Sequence, residues 1–286
     1  MNPYISLVRP RQYLKNVLIF FPAFFALRIT ELELLFRTSL GFIGFCAIAS
    51  SVYILNDYVD LSEDRQHPVK QKRALASGAA NLKPAWGVML VLVSVGLGIF
   101  VQLSIEALLL VVAYILLNTA YSFFLKRIPI IDVFVIGLGF LIRIAVGATI
   151  EKIPLSMWIL LMTFLGALFM GFAKRRADVL LANQGKTVRK SIDGYNLEFI
   201  NSAMIVMASV LIVAYISYAI SPVTQANFQS EHLYLTVFFV LLGILRYMQL
   251  TFVEERGGNP TNILLQDRFL QLTILGWVVA FVILIY

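Results

Sequence analysis

Between Asn56 and Asp64 the chain reads N-D-x-x-D-x-x-x-D, with carboxylates at 57, 60 and 64. At about 100° per residue, Asp60 falls about 300° and Asp64 about 340° from Asp57 after whole turns, so on a helix the three share one narrow face. Like charges on one stripe repel by about 0.2–0.5 kcal/mol per pair on a solvated helix. Something positive should compensate them. A hard divalent cation fits: Mg²⁺ takes one or two carboxylates, completes its shell with phosphate oxygens and keeps some waters. Asn56, Asp57, Asp60 and Asp64 are therefore the candidate metal ligands, with the three aspartates as the catalytic set. The plainer alternative is a solvated loop whose acids pair with Arg65, Lys70 and Arg73; the regular one-face spacing favours the metal. Lys70 and Arg73 follow three residues apart and would supply the ammonium and guanidinium donors that a metal-held diphosphate still needs. His67, followed by Pro68, reads as a loop-ordering residue.

Further polar residues interrupt the apolar sequence. Tyr121, Lys126 and Asp132 lie around one such break; Lys126 with Arg127 alone would be an ordinary basic loop, but Asp132 opens an apolar run. Arg143 follows Asp132 by eleven residues, about 20° round a helix and roughly 16 Å along it. An arginine at membrane depth costs about 2.5–3.5 kcal/mol, so it should face the bundle interior, in an ion pair or against an anionic substrate group. Gly137, Gly139 and Gly147 would allow close helix approach beside it. Lys174, Arg175 and Asp178 are related by helical spacings, and Lys190 and Tyr195 follow. This stretch is a candidate phosphate grip opposite the acids; a basic loop meeting lipid headgroups is the alternative, and the better one for Lys186. Lys15 is a further candidate phosphate ligand.

These residues must be held by elements that suit a chain of 286 residues, 60% hydrophobic and only 14% charged, with a mean hydropathy of +0.85. Such a composition excludes an ordinary soluble domain. About nine apolar segments are near the length needed to cross a bilayer, at about 14–27, 38–55, 84–103, 106–124, 130–149, 154–173, 199–220, 232–250 and 269–286. The first is short and carries Pro22. Unbroken apolar runs give helices, not barrel strands. The fold expected is one all-α membrane domain spanning 1–286, a nine-helix bundle. With alternating connections, one side collects 19 of the 23 Lys and Arg, which places the N-terminus in the cytoplasm and the C-terminus outside. The acidic stretch and the other candidate site residues then fall in or beside the cytoplasmic connections at about 56–83, 125–131 and 174–198. The net charge of +7 is largely a topology signal and an attraction to anionic membrane lipids. Basic residues scattered among loops do not suit nucleic acid. The single Cys46 can form no intrachain disulfide, and no cleavage site follows the first apolar run. A homo-oligomer is compatible with all of this.

The pattern resembles the UbiA superfamily of intramembrane prenyl-group enzymes. The resemblance rests on N-D-x-x-D-x-x-x-D at Asn56–Asp64, H-P-x-K-x-x-R at His67–Arg73 with Gly78, R-P-x-Q-x-x-K-N at Arg9–Asn16 and the Tyr121–Lys126 segment. With the helix pattern it covers nearly the whole chain. Within the superfamily the sequence is most similar to the decaprenyl-phosphate phosphoribosyltransferase branch, through RPRQYLKN, YSFFLKRIPIID, GFLIRIAVG, KRRAD and RKSIDGYN. Two departures stand out. Ala74 follows Arg73 where members often have proline, and the connection after Lys174 is basic where prenyl-diphosphate users carry a second aspartate cluster.

One acidic and one basic cluster suit a donor with a metal-bound diphosphate and a further phosphate elsewhere. The resemblance thus implies an Mg²⁺-dependent transfer of 5-phosphoribose from phosphoribosyl pyrophosphate to a polyprenyl phosphate in the bacterial cytoplasmic membrane, for lipid-linked arabinose supply. A prenyltransferase using a prenyl diphosphate and an aromatic acceptor is the nearest alternative. A transporter or scaffold would explain the spans but not an acidic ladder at a helix end. A CDP-alcohol phosphotransferase lacks its D-G-x-x-A-R element here.

Overall fold

A computed structural model describes residues 3–185, 190–258 and 260–285, and every regular element among them is helical. The long helices are α1 (Leu32–Val59), α2 (Leu82–Leu103), α3 (Ile105–Phe123), α4 (Ile131–Ile150), α5 (Met157–Asn183), α6 (Leu197–Ile220), α7 (Val237–Phe252) and α8 (Arg268–Ile285). Among the described residues these eight are long and apolar enough to cross a membrane, the seventh counted from Leu233 with its leading 3₁₀ turn. They match the second to ninth apolar segments.

The first expected span, 14–27, takes another form. A 3₁₀ helix runs from Pro10 to Phe20, and a five-residue α-helix, Phe21–Phe25, follows it. The prolines account for the change. An α-helix continuing through residue 22 would drive the Pro22 ring into the carbonyl of Leu18, whereas a first-turn proline is tolerated. Pro22 therefore sits in the first turn of the new helix. In a 3₁₀ helix residues three apart eclipse, so Tyr13, Asn16 and Ile19 form one inward stripe. Asn16 and Ile19 are buried, and the Tyr13 hydroxyl lies 2.9 Å from that of Ser50.

The chain divides into two compact units, Met1–Ser156 with Ala182–Ser191 and Met157–Leu181 with Ile192–Tyr286. In the first, α1 is the central helix: 67% of its most apolar window is buried, against 11% in α2. Its core gathers Phe45, Ile48 and Val52 of α1 with Phe100, Val111, Tyr114, Val146 and Ile19. A second apolar cluster, of Leu7, Ile54, Ala74, Leu75, Ala80 and Ala85, pins the connection after α1 against the helices. The outer faces of α2 and α3 leave Leu90, Val91, Val101, Leu109 and Leu116 exposed, as suits lipid contact.

Gly147 fulfils the expectation of close approach. A Cβ there would overlap the backbone of Ile19, so the absence of a side chain is what lets the N-terminal 3₁₀ segment lie on α4. Gly139 instead offers its carbonyl to Arg143 at 2.6 Å. In the second unit, Trp277 donates to the Tyr215 hydroxyl at 2.6 Å. That hydroxyl is 2.7 Å from Thr236, which satisfies polar groups inside an apolar bundle.

Gly147→Ala should lower the thermal unfolding midpoint in detergent, with overpacking costing about 1–3 kcal/mol. Gly98→Ala, whose Cβ meets nothing within 4 Å, should leave the midpoint unchanged or slightly raised. Equal behaviour of the two variants would contradict the packing described.

Candidate active site

The ladder of acids forms at the end of α1. The helix is assigned only to Val59, and a second, Leu61–Gln66, begins after Asp60. Even so, the backbone bonds run on across the junction, from Asp60 N–H to Asn56 at 2.9 Å and from Asp64 N–H to Asp60 at 2.8 Å. The one-face arrangement read from the spacing survives the break. It is also buried: Asp57, Asp60 and Asp64 are 3%, 3% and 1% exposed. The solvated-loop alternative therefore fails on burial, although its pairing of acids with Lys70 and Arg73 is correct. Arg65 is exposed and takes no part.

Each carboxylate meets a base, and the bases arrive from three other segments. Arg73 places one guanidinium nitrogen 3.0 Å from Asp57 and 2.5 Å from Asp64. Lys70 is 4.0 Å from Asp64. Lys126, itself 5% exposed, pairs with Asp60. Arg9 pairs with Asp57 and lies over the Tyr53 ring, 5.2 Å from its centroid. Asn56 donates to Asp60 at 3.0 Å and accepts from Ser122 at 3.3 Å, which ties the end of α3 to the ladder. Burial pushes the Asp64 carboxyl above its ordinary pKa, and Arg73 and then Lys70 pull it back only in part. Burial likewise lowers the pKa of Arg73, with the nearby Arg9 charge adding to the effect. Both members of this pair are thus shifted against their charged forms, the signature of an ion pair that has lost its water.

The segments that bring these bases are strained or locked. Arg9 adopts φ 51°, a left-handed backbone that a side chain rarely takes. After Lys126, Ile130 sits at φ 70° and ψ −51°, with Ile131 N–H bonded to Pro129 at 2.8 Å. That is the strained form of the γ-turn, at a β-branched residue. Such conformations cost about 1–3 kcal/mol each and persist where surrounding packing over-determines them. In the connection after the ladder, the His67 Nδ1 accepts from the backbone of Val69 at 3.2 Å and of Lys70 at 3.3 Å. His67 is thus the loop-ordering residue that the sequence suggested.

Asp132 is fully buried in the first turn of α4, where the helix dipole favours a carboxylate. Arg143 is 4% exposed. It donates to Asn16 at 2.9 Å, to the Gly139 carbonyl at 2.6 Å and to the Tyr114 hydroxyl at 3.0 Å. Its guanidinium lies over Phe45, Tyr114 and Phe140 at 5.1–5.4 Å. Neutral acceptors and ring faces hold it, and among the described residues it makes no ion pair. Tyr121 and Lys15 are half-buried.

In the second unit Arg175 is fully buried and pairs with Asp178 at 2.9 Å. Lys174 on the same helix is half-buried. Tyr195 packs against Phe172 and Phe199, with ring centroids 6.4 and 6.0 Å away. Arg176 donates to Asn201 at 3.0 Å and to the Thr251 carbonyl at 2.7 Å, a structural clamp. Lys186 and Arg189 lie outside the described residues, as does the side chain of Lys190.

Among the described residues no three His, Cys, Asp or Glu are gathered so as to hold a metal by themselves. The donors present are carboxylate and amide oxygens, which is the hard set Mg²⁺ takes. They fit an ion whose shell is completed by substrate phosphate and water, not one caged by protein alone.

The sequence profile of the UbiA prenyltransferase family matches residues 17–273. The chain belongs to this family. It is an integral membrane protein, all-helical in its described residues, and a transferase by family. A decaprenyl-phosphate phosphoribosyltransferase from Mycobacterium tuberculosis is 33% identical over 282 residues, covering 96% of this chain and 91% of the relative. Its counterpart from Corynebacterium glutamicum is 30% identical over 287 residues, covering 99% and 86%. A UbiA homolog from Archaeoglobus fulgidus, solved bound to DMAPP and Mg²⁺, superposes with a TM-score of 0.70 at 16% identity over 97% of this chain and 98% of that one. The apo UbiA homolog from Aeropyrum pernix K1 gives 0.70 at 15% identity over 94% and 96%.

The residue that sequence reasoning missed is Arg9. It lies 48 positions from Asp57, and no periodicity links the two; the available signal was its place at the head of the R-P-x-Q-x-x-K-N run.

His67→Asn keeps an acceptor near the Nδ1 position, whereas His67→Gln moves it towards Nε2. The asparagine variant should retain most transferase activity, and the glutamine variant should lose about tenfold as Lys70 and Arg73 drift from the acids. Indistinguishable rates would remove this role.

Proposed function

We propose that the chain transfers 5-phosphoribose from phosphoribosyl pyrophosphate to the phosphate of a polyprenyl phosphate, releasing pyrophosphate. The observation that carries this reading is the near full-length likeness to decaprenyl-phosphate phosphoribosyltransferases, joined to a buried acid–base cluster suited to a diphosphate. In the first unit, Asn56, Asp57, Asp60 and Asp64 would hold Mg²⁺ together with the donor's diphosphate. When bound, the ion would neutralise charge developing on the leaving group. Lys70, Arg73 and Lys126, already aimed at the acids, would turn part of their hydrogen bonding to phosphate oxygens. Arg9 would do the same. The acceptor is already an anion, so its oxygen needs no general base to attack the anomeric carbon. The carbon–oxygen bond to pyrophosphate breaks as the new one forms, which inverts that centre.

Tyr121, Asp132 and Arg143 would complete this unit's substrate-binding set. Lys174, Arg175, Asp178 and Tyr195, carried by the second unit, and Lys190, which falls with the first, would be further phosphate-binding residues. The reading places the enzyme in the bacterial inner membrane with its N-terminus and site at the cytoplasmic face. There the 10–25 segment makes a ninth crossing, and the product feeds lipid-linked pentose for envelope glycans. A prenyl diphosphate with an aromatic acceptor is the second reading. It draws on the fold neighbours solved with DMAPP or GPP.

Purified enzyme given labelled phosphoribosyl pyrophosphate and a polyprenyl phosphate should form labelled lipid and pyrophosphate only when Mg²⁺ is present. Turnover of a prenyl diphosphate with an aromatic acid, and none of the former, would select the second reading. Asp57→Asn and Asp60→Asn should each lower the metal-dependent rate at least about a hundredfold; near-normal rates would remove the metal assignment. Lys174→Ala should weaken substrate use well beyond Lys186→Ala, and equal effects would assign the basic connection to lipid headgroups.

A further inference from the structure

The cations gathered in the first unit are not equivalent. Arg9, Lys70, Arg73 and Lys126 each sit on a carboxylate of the ladder. Arg143 has its three nitrogens on neutral acceptors and its plane among three rings. Lys15 has neither kind of support. It is half-buried, and among the described residues it makes no hydrogen bond and no ion pair.

Its place is nevertheless built. The adjacent Asn16 is 1% exposed, donates to the Cys46 sulfur at 3.1 Å and accepts from Arg143 at 2.9 Å. Tyr13 and Ile19, on the same stripe as Asn16, lie against Ser50 and under Gly147. One residue round a 3₁₀ helix is about 120°, so this inner stripe fixes the direction in which Lys15 leaves the segment. A half-buried ammonium next to the asparagine that holds Arg143 has no counter-ion among the described residues. On either side of it in sequence, Leu14 and Val17 are 41% and 40% exposed, so the ligand that brings the anion meets apolar surface as well.

We infer that Lys15 is the seat of the acceptor's phosphate: it binds the monophosphate head of an isoprenyl chain, while the acid ladder and its bases serve the diphosphate donor. This assignment rests on the phosphoribosyl-transfer reading for the identity of the two substrates. It divides them by chemistry. A donor diphosphate carries enough charge to need the ladder's metal, whereas a single phosphate monoester on an apolar tail matches an ammonium with no carboxylate and exposed aliphatic neighbours.

The test uses the full chain in detergent, a short-chain isoprenyl monophosphate, its parent alcohol, and phosphoribosyl pyrophosphate with Mg²⁺. Calorimetry should show the wild type binding the monophosphate and not the alcohol. Lys15→Gln should weaken the monophosphate by about tenfold or more, the scale of one charge-assisted hydrogen bond. It should leave donor affinity within about twofold and the melting temperature unchanged, and Lys15→Arg should restore most of the binding. Loss of donor affinity in Lys15→Gln would assign the residue to the other substrate and overturn the inference, as would unchanged affinity for both. If the wild type transfers no phosphoribose, the reading of the reaction falls, yet the monophosphate and alcohol titrations still decide what Lys15 binds.

Discussion

Three carboxylates buried at one end of a central membrane helix are tolerable only if cations reach them, and much of the first unit is arranged to bring cations there. An isolated buried charge is far costlier than a paired one, so neither side of such a cluster can be removed alone without leaving the other stranded. Arg9 comes from the N-terminal segment, Arg73 and Lys70 from the connection after α1, and Lys126 from the turn after α3. Each of those segments has its own fastening. Ser50 and Asn16 anchor the first, an apolar cluster and the His67 imidazole hold the second, and a strained turn at Ile130 sets the third.

On the proposed function, a cluster balanced in this way would be prepared for exchange. The bases that neutralise the acids are phosphate donors' natural partners, and the acids they release are hard oxygen ligands. Burial holds Arg73 and Asp64 against their charged forms, so on the proposed function an incoming polyanion with its cation would replace a desolvated pairing and not a comfortable one. The same economy explains why Arg143 can be buried without a carboxylate. Its charge is spread over three acceptors and three ring faces, and cation–π contacts gain strength where water is absent.

The acids' common face, the loop-ordering histidine, the shared side of Arg175 and Asp178 and eight of the helices were legible from spacing and hydropathy, because each depends on residues within about two helical turns. The helix break at Asp60 was not foreseen, but the backbone bonds bridge it and the face is kept. The first apolar run was misread as a regular helix, since hydropathy does not register that Pro22 can only begin one. Spacing along α4 put Asp132 on the stripe of Arg143 and so suggested an ion pair, but the side-chain partners of Arg143 are Asn16 and Tyr114, on other elements.

By itself, the amino-acid order determined a helical membrane protein, the end of the helix at which acid collects, and the segments rich in base. Local periodicity and transfer free energy suffice for those, since neither requires knowing what lies across the bundle. Only the tertiary structure decided which of the distant bases meets which acid, that Arg9 belongs to the cluster, and that Lys15 is half-buried with no carboxylate partner among the described residues. The Arg9–Asp57 and Lys126–Asp60 contacts join residues 48 and 66 positions apart, set by how helices and connections pack, and no one-dimensional pattern encodes them.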